Sequence, residues 1–340
     1  MEKASMIGLD IAKNVFEVHG RSASGVVVLR RSLRRGQVEK VFAELPKAVI
    51  GLEACGSAHH WARVLGKLGH QTRLMPAAYV KPYVKRNKSD AIDAAACCEA
   101  VGRPDMRFVP VKTVEQQAAL SLHRSRDLLV SQRTQLGNAF RALLSEFGIM
   151  AGKGKAGLAR LVDGLHAGAL DLPADAVASA RALADQHAAL EAAADTLERR
   201  ITAQAKADER ARLLQTAPGV GPLSAHATLA TMPDPSLFKS GRDFAAWLGL
   251  TPRLRGTGGK TRTGRITKQG NQPLRRLLVL GATAWLRQVR ARPEKASPWL
   301  RGMMARRPSK VVAVAQAART ARILWAMLTH NQPYRAPAIG

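Results

Sequence analysis

Four carboxylates, Asp10, Glu53, Asp90 and Asp93, stand in the first hundred residues of a 340-residue chain whose formal net charge is +28. Asp10 closes the apolar run MIGL and Glu53 closes VIGL, so the chain holds two near copies, MIGLD and VIGLE. If these are adjacent strands of one sheet, both acids fall on the same edge. Asp90 and Asp93 are three apart in a helical pattern and so share one helix face. A helix laid against that edge brings four acids together. Such a group suits a hard divalent cation, Mg²⁺ first and Mn²⁺ as its substitute. Two metals held this way activate a hydroxyl and stabilise a leaving oxygen at phosphorus. Taken singly, Asp90 reads equally well as a helix cap and Glu53 as a surface residue. As a set, in this order of strands and helices, the four acids fit a metal site far better than any one of them does. Lys85, Arg86 and Lys88, just before Asp90, suit phosphate contact beside the metals.

Acids are sparse elsewhere. Lys and Arg number 53 against 25 Asp and Glu, and the isoelectric point is about 11.2. That balance points to a polyanionic partner. From Thr251 onward the sole acid is Glu294. Arg253, Arg255, Lys260, Arg262, Arg265, Lys268, Arg275 and Arg276 form a basic block with no acid among them. They are the candidate nucleic-acid contacts. No apolar run approaches the roughly 18 residues of a membrane span, and no N-terminal signal pattern is visible. Cys55, Cys97 and Cys98 fit neither a disulfide framework nor a zinc site. The expectation is a cytoplasmic chain with no membrane partner. Aromatic residues are 4% of the chain, so base stacking is not expected to dominate recognition.

The elements that must position the acids follow from the pattern. Residues 1–105 read as βββαβαβα: a three-strand meander, a helix near Arg35–Leu45, the strand AVIGLEA, a helix over Ala58–Leu68, the strand TRLMP, and a helix carrying KSDAIDAAACCEAV. Residues 106–212 read as a helical spacer. Leu120, Leu128, Leu136 and Leu143 recur at heptad-like spacing, GIMAGKGKAG breaks the pattern, and a second long helix runs from about Pro173 to Leu214. Together they suggest an antiparallel hairpin or a coiled coil, with the partner helix in the same chain or in a second subunit. Residues 213–340 open with LLQTAPGVGPLSAHATLATM, a helix, glycine turn and helix. It fits either a phosphate-binding helix-hairpin-helix or a plain packing corner. His59 and His60 cannot share one helix face. Cys97 and Cys98 read as small core residues, and Trp285, Trp299 and Trp325 as core anchors.

Asp after the first strand, Glu after the fourth and an Asp-x-x-Asp pair on a late helix resemble the RuvC-like nucleases of RNase H fold. The stretches MIGLDIAKNVFEV, IGLEACGSAHHWARVL, KSDAIDAAA, LLQTAPGVGPLSA and FAAWLGLTPRLRGTGGKTRTGRITKQGNQPLRRLL resemble something narrower, the DEDD transposases of insertion sequences guided by a bridge RNA. The resemblance implies an α/β RuvC-like domain, a helical coiled-coil middle and a mainly α C-terminal transposase domain. It implies catalytic, metal-holding roles for Asp10, Glu53, Asp90 and Asp93. It implies donor and target DNA duplexes, a non-coding guide RNA, and a homo-oligomer, dimer or tetramer.

The family usually carries a serine followed by two glycines after GLTPR. Here the text is GTGGK, so Thr257 stands in the nucleophile's place. Threonine keeps the hydroxyl and adds a methyl that restricts χ1. Three readings stay open: Thr257 serves as the covalent nucleophile on a glycine loop, a nearby hydroxyl (Ser240, Thr261 or Thr263) replaces it, or this copy is impaired. Thr257 lies about 165 residues beyond Asp93 in sequence. The competing functions are a structure-selective RuvC-like nuclease and an inactivated nucleic-acid-binding relative.

Overall fold

Strand β1 (Met6–Ile11) alternates strictly: Ile7 and Leu9 turn to one face of a sheet, Gly8 and Asp10 to the other. It pairs antiparallel with β2 (Val15–Arg21), which pairs antiparallel with β3 (Val27–Arg34). On its other side β1 runs parallel to β4 (Val49–Glu53), and β4 parallel to β5 (Gln71–Met75). The sheet order is β3-β2-β1-β4-β5. These elements belong to a computed structural model that describes residues 2–85 and 89–336, apart from the side chain of Thr261. The chain divides into two units, Met1–Val114 and Glu115–Gly340.

In the first unit the sheet is covered on both faces. Helices α1 (Val38–Glu44) and α2 (Ala58–Lys67) pack Phe42, Trp61 and Leu65 against Ile7, Leu9, Phe16, Ile50 and Leu52. The opposite face takes the short α3 (Ala77–Val80) and then α4 (Asp90–Val101), which buries Ala96, Cys97, Ala100 and Val101 with Met75 and Val80. The order expected from sequence is present, with α3 added.

The second unit is helical. Helix α5 (Val114–Ser145) runs antiparallel to α7 (Ala174–Ala207): Arg126 bonds Glu198, Arg133 bonds Glu191, and Gly137 lies against His187. The partner helix is therefore in the same chain. The seam differs from the leucine spacing. His123, Gly137, Phe140 and Leu144 are buried, whereas Leu128 is 58% exposed. The glycine-rich break is also shorter than it reads, because α6 (Lys155–His166) starts inside it and packs Leu161 and Leu165 on Phe140, Leu144, Ala180 and Ala184. Alanine-rich α7 presents small side chains there, which lets a third helix close on the pair.

The rest of the unit is α8 (Glu209–Leu214), α9 (Pro222–Thr231), α10 (Gly241–Trp247), the hairpin β6 (Pro252–Thr257) and β7 (Lys260–Ile266), then α11 (Gln272–Ala291), α12 (Pro298–Arg306) and α13 (Ser309–His330). Leu214, Phe244, Leu248, Leu274, Leu278, Ala317, Ala321 and Leu324 form its core. Among the described helices, α13 alone has the length and composition to cross a membrane. It carries Arg319 and Arg322 and buries Ala317, Ala321 and Leu324 in that core, as a central helix does, while Val312 packs with Leu286, Val289 and Leu300. Trp325 donates to the Pro235 carbonyl at 3.0 Å, and Trp299 lies under Arg319. The turn before α9 sets Gly219 against Gly281 of α11.

Candidate active site and nucleic-acid interface

The β1/β4 register pairs Gly8 with Gly51 and Leu9 with Leu52, so the next position sets Asp10 beside Glu53. Both acids sit at the C-terminal ends of parallel neighbours and on the glycine side of the sheet. The two glycines explain how the helix arrives. A Cβ on Gly8 would lie 2.0 Å from the Ala94 carbonyl oxygen, and one on Gly51 2.6 Å from Val101 Cβ. Helix α4 therefore lies directly on the sheet backbone, with Ala94, Cys97 and Cys98 as its small contacting residues. This close seat brings the start of α4 to the strand ends. Ser89 caps that start, accepting from the Ile92 N–H at 3.4 Å. The capping role open to Asp90 is thus filled by Ser89, and Asp90 and Asp93 occupy the first helical turn. The positive end of the helix dipole favours anions at that place.

Asp10 registers the gathering electrostatically. Its pKa is raised from 3.8 to about 6 by burial first, then by Asp90, Asp93 and Glu53. None of the four acids has an ion-pair partner among the described residues. Among those residues, too, no three His, Cys, Asp or Glu side chains lie close enough to hold a metal. The acids thus share a field without forming a closed ligand shell. Hard oxygen donors with uncompensated mutual repulsion fit a divalent cation, whose charge would relieve it. Beneath them the Cys97 thiol is pushed up to about 12, chiefly by burial and then by Glu53, so it stays protonated and unreactive. Cys98 is raised by burial as well.

Lys85 is exposed at the end of the segment before α4, while Arg86 and Lys88 lie outside the described residues. His59 accepts from the Lys112 backbone N–H at 3.2 Å, and its other ring nitrogen is 2.9 Å from Lys112 Nζ. His60 is exposed and packs edge-on against Trp61.

The expected glycine loop around Thr257 is instead the tip of a β-hairpin. Pairs run Leu254–Thr263, Arg255–Arg262, Gly256–Thr261 and Thr257–Lys260. Gly258 and Gly259, at φ 56° and 76°, make the two-residue turn. Both central positions of such a turn require positive φ, which is why Gly-Gly follows Thr257. Cross-strand partners share a face and alternate residues share it too, so Arg255, Thr257, Lys260 and Arg262 line one side. All of β6 is exposed. Arg265 and Lys268 are exposed beyond the tip. The base of the hairpin is anchored: Thr267 N–H donates to Thr251 O at 2.9 Å, and Arg253 donates to Thr267 O at 3.0 Å.

Two basic candidates are committed inside the unit. Arg275 donates to the carbonyls of Leu248 and Gln269, each at 2.8 Å, and so ties the hairpin base to α11. Arg276 forms an ion pair with Asp127 of α5. Of the alternative hydroxyls, Ser240 caps α10 by accepting from Asp243 N–H at 3.2 Å, and Thr263 is exposed in β7. The residues missed from sequence are the positioning ones, Gly8, Gly51 and Ser89. Their signal was present, a glycine two residues before each acid in MIGLD and VIGLE and a serine before Asp90.

Known proteins match along the whole chain. Residues 211–297 match the family described as "Transposase IS116/IS110/IS902 family", and residues 7–149 match the DEDD domain of IS110-type elements, described as "Transposase". A "Probable family 20 transposase" of Pseudomonas aeruginosa is 49% identical over 333 residues, 97% of this chain and 98% of that one. The "Transposase for insertion sequence element IS1328" of Yersinia enterocolitica is 38% identical over 97% of this chain and 98% of its own. The "Transposase for insertion sequence element IS1111A" of Coxiella burnetii is 38% identical over 99% and 93%. A DEDD domain goes with divalent-metal use, and a transposase acts on DNA. The chain therefore belongs to the IS116/IS110/IS902 family of insertion-sequence transposases, enzymes of DNA recombination.

Proposed function

We propose that this transposase exchanges DNA strands with Mg²⁺ held by Asp10, Glu53, Asp90 and Asp93 and with the Thr257 hydroxyl as covalent nucleophile. The observation that carries the reading is the β1/β4 register, which sets Asp10 beside Glu53 while α4, seated on Gly8 and Gly51, brings Asp90 and Asp93 to the same end. The sheet order and the helix on its glycine face support a RuvC-like domain. When bound, a divalent metal supplies Lewis-acid polarisation of a phosphoryl oxygen. Everything else falls to the chain. The four carboxylates must be ionised to bind the cation, and the first turn of α4 holds two of them in place. Arg255, Lys260 and Arg262 flank Thr257 and would neutralise charge on the attacked phosphate. The hydroxyl oxygen forms a bond to phosphorus, the bond from phosphorus to one strand oxygen breaks, and the hydroxyl proton passes to solvent or to the departing oxygen.

A non-coding guide RNA and assembly as a dimer or tetramer complete the proposal, with the cytoplasm as the setting. The chain-long likeness to insertion-sequence transposases supports them, and a net charge of +28 suits polyanionic partners. Mass spectrometry of a trapped protein–DNA complex tests the nucleophile. Thr257→Ser should preserve or raise strand attachment, because the hydroxyl stays and the methyl goes. Thr257→Ala should abolish attachment while DNA binding persists. Strand exchange by Thr257→Ala at the wild-type rate would pass the role to another hydroxyl or to a water, and the nuclease reading would gain.

A further inference from the structure

The hairpin has a second face. Leu254, 71% exposed, projects opposite the side that carries Arg255, Thr257, Lys260 and Arg262, with Thr263 as its cross-strand neighbour. Among the described residues only Met150 is a more exposed large apolar side chain, and the paired positions around Leu254 are Arg, Lys, Thr and Gly, so Leu254 is the one large aliphatic group this part of the ribbon offers to a nucleic acid. The basic face suits a phosphate backbone, and an aliphatic side chain suits the flat face of a base pair. Leu254 and Thr257 are three strand positions apart, about 10 Å at the usual rise per residue, or about three nucleotide steps of a duplex strand. Strand exchange requires base pairs to part, and a two-stranded ribbon is narrow enough to pass between strands.

We propose that the β6–β7 hairpin is a strand-separating wedge: its basic face carries the backbone of the attacked strand, and Leu254 on the opposite face packs against the first base pair left behind. This rests on the reading of the hairpin as a DNA-contacting element and assigns it a further task. Leu254 makes no contribution to the buried core, so its substitution leaves the fold intact. The anchored base, where Arg275 holds the carbonyls of Leu248 and Gln269, gives the wedge its stiffness.

The test uses the full chain and a forked DNA duplex carrying 2-aminopurine at the first paired position, whose emission rises on unstacking. Binding is followed in parallel by fluorescence anisotropy. Wild-type protein should raise the emission, Leu254→Ala should lose most of that rise with little loss of affinity, and Leu254→Met should restore it. The double variant Arg255→Ala/Arg262→Ala should weaken binding. If the arginine variant binds weakly while Leu254→Ala still unstacks the fork as wild type does, the wedge is overturned and the DNA-contacting hairpin stands. No emission rise with wild-type protein overturns the wedge equally. If neither variant alters binding or emission, the hairpin does not touch DNA, and both readings fall.

Discussion

Asp10 is held in its charged form against its own interest. Its folded pKa of about 6 exceeds the ordinary 3.8, so the folded state disfavours the anion. The destabilisation is present above pH 6, relieved as the pH falls from 6 toward 4, and absent below. Asp10→Asn should therefore raise the melting temperature of the metal-free protein at pH 7 and lower strand cleavage by several decades, since a metal site supplies several kcal/mol of transition-state stabilisation. Unchanged cleavage with unchanged melting would separate Asp10 from the site. At this scale the acids were legible because their residue type, their strand-end positions and the repeat MIGLD/VIGLE all agree. The fates of Arg275 and Arg276 were not. Composition marks both as phosphate ligands, but two carbonyls and Asp127 lie within reach only once the chain is folded.

The elements carry the next constraints. Gly8→Ala would drive a methyl into the backbone of α4 at Ala94 and Cys98, where no flexible side chain can yield. A loss of about 3 kcal/mol or more is expected from this overpacking, together with loss of cleavage, because α4 carries two of the acids. Urea unfolding measures the first and strand cleavage the second; a variant of wild-type stability would refute the close seat. In the helical unit, His123 Nε2 lies 2.9 Å from His226 Nδ1, and His226 Nε2 donates to Gln204 Oε1 at 3.0 Å. This joins α5, α9 and α7 through neutral rings. Burial first, then His226 and Arg126, lowers the His123 pKa from 6.5 to about 4. Its stabilising contribution is complete above pH 6.5 and is lost as the pH falls through 4, up to about 3 kcal/mol. His123→Gln should flatten the pH dependence of melting between pH 7 and 5; equal slopes would contradict it. The strands and long helices were legible by period. The hairpin was misread as a loop, although Gly-Gly between basic, alternating runs is a hairpin signal. Helix α6 was hidden by glycines at its start, and the α5 seam by a leucine spacing that includes the exposed Leu128 and omits the buried His123 and Gly137.

For the molecule as a whole, charge predicts behaviour more directly than shape does. Between Arg253 and Lys310 stand sixteen Lys and Arg against one Glu. DNA affinity should fall steeply with salt, and Arg255→Ala/Arg262→Ala should lower the slope of log affinity against log salt by about 1.8. A slope unaltered by that change would place the DNA elsewhere. The sequence reads as three segments, whereas the fold clusters as two units: α7 packs against α8 and α9, and α5 is tied to α9 and α11 through His123–His226 and Asp127–Arg276. The central claim is that four acids spread over the first unit are one divalent-metal site. Titration of Mn²⁺ into the full chain, followed by electron paramagnetic resonance, tests it most directly. Binding near neutral pH should be lost or greatly weakened in Asp10→Asn, Glu53→Gln, Asp90→Asn and Asp93→Asn alike, and in the wild type it should weaken below about pH 6 as Asp10 takes up its proton. Mn²⁺ binding that is the same in the wild type and all four variants would contradict the account.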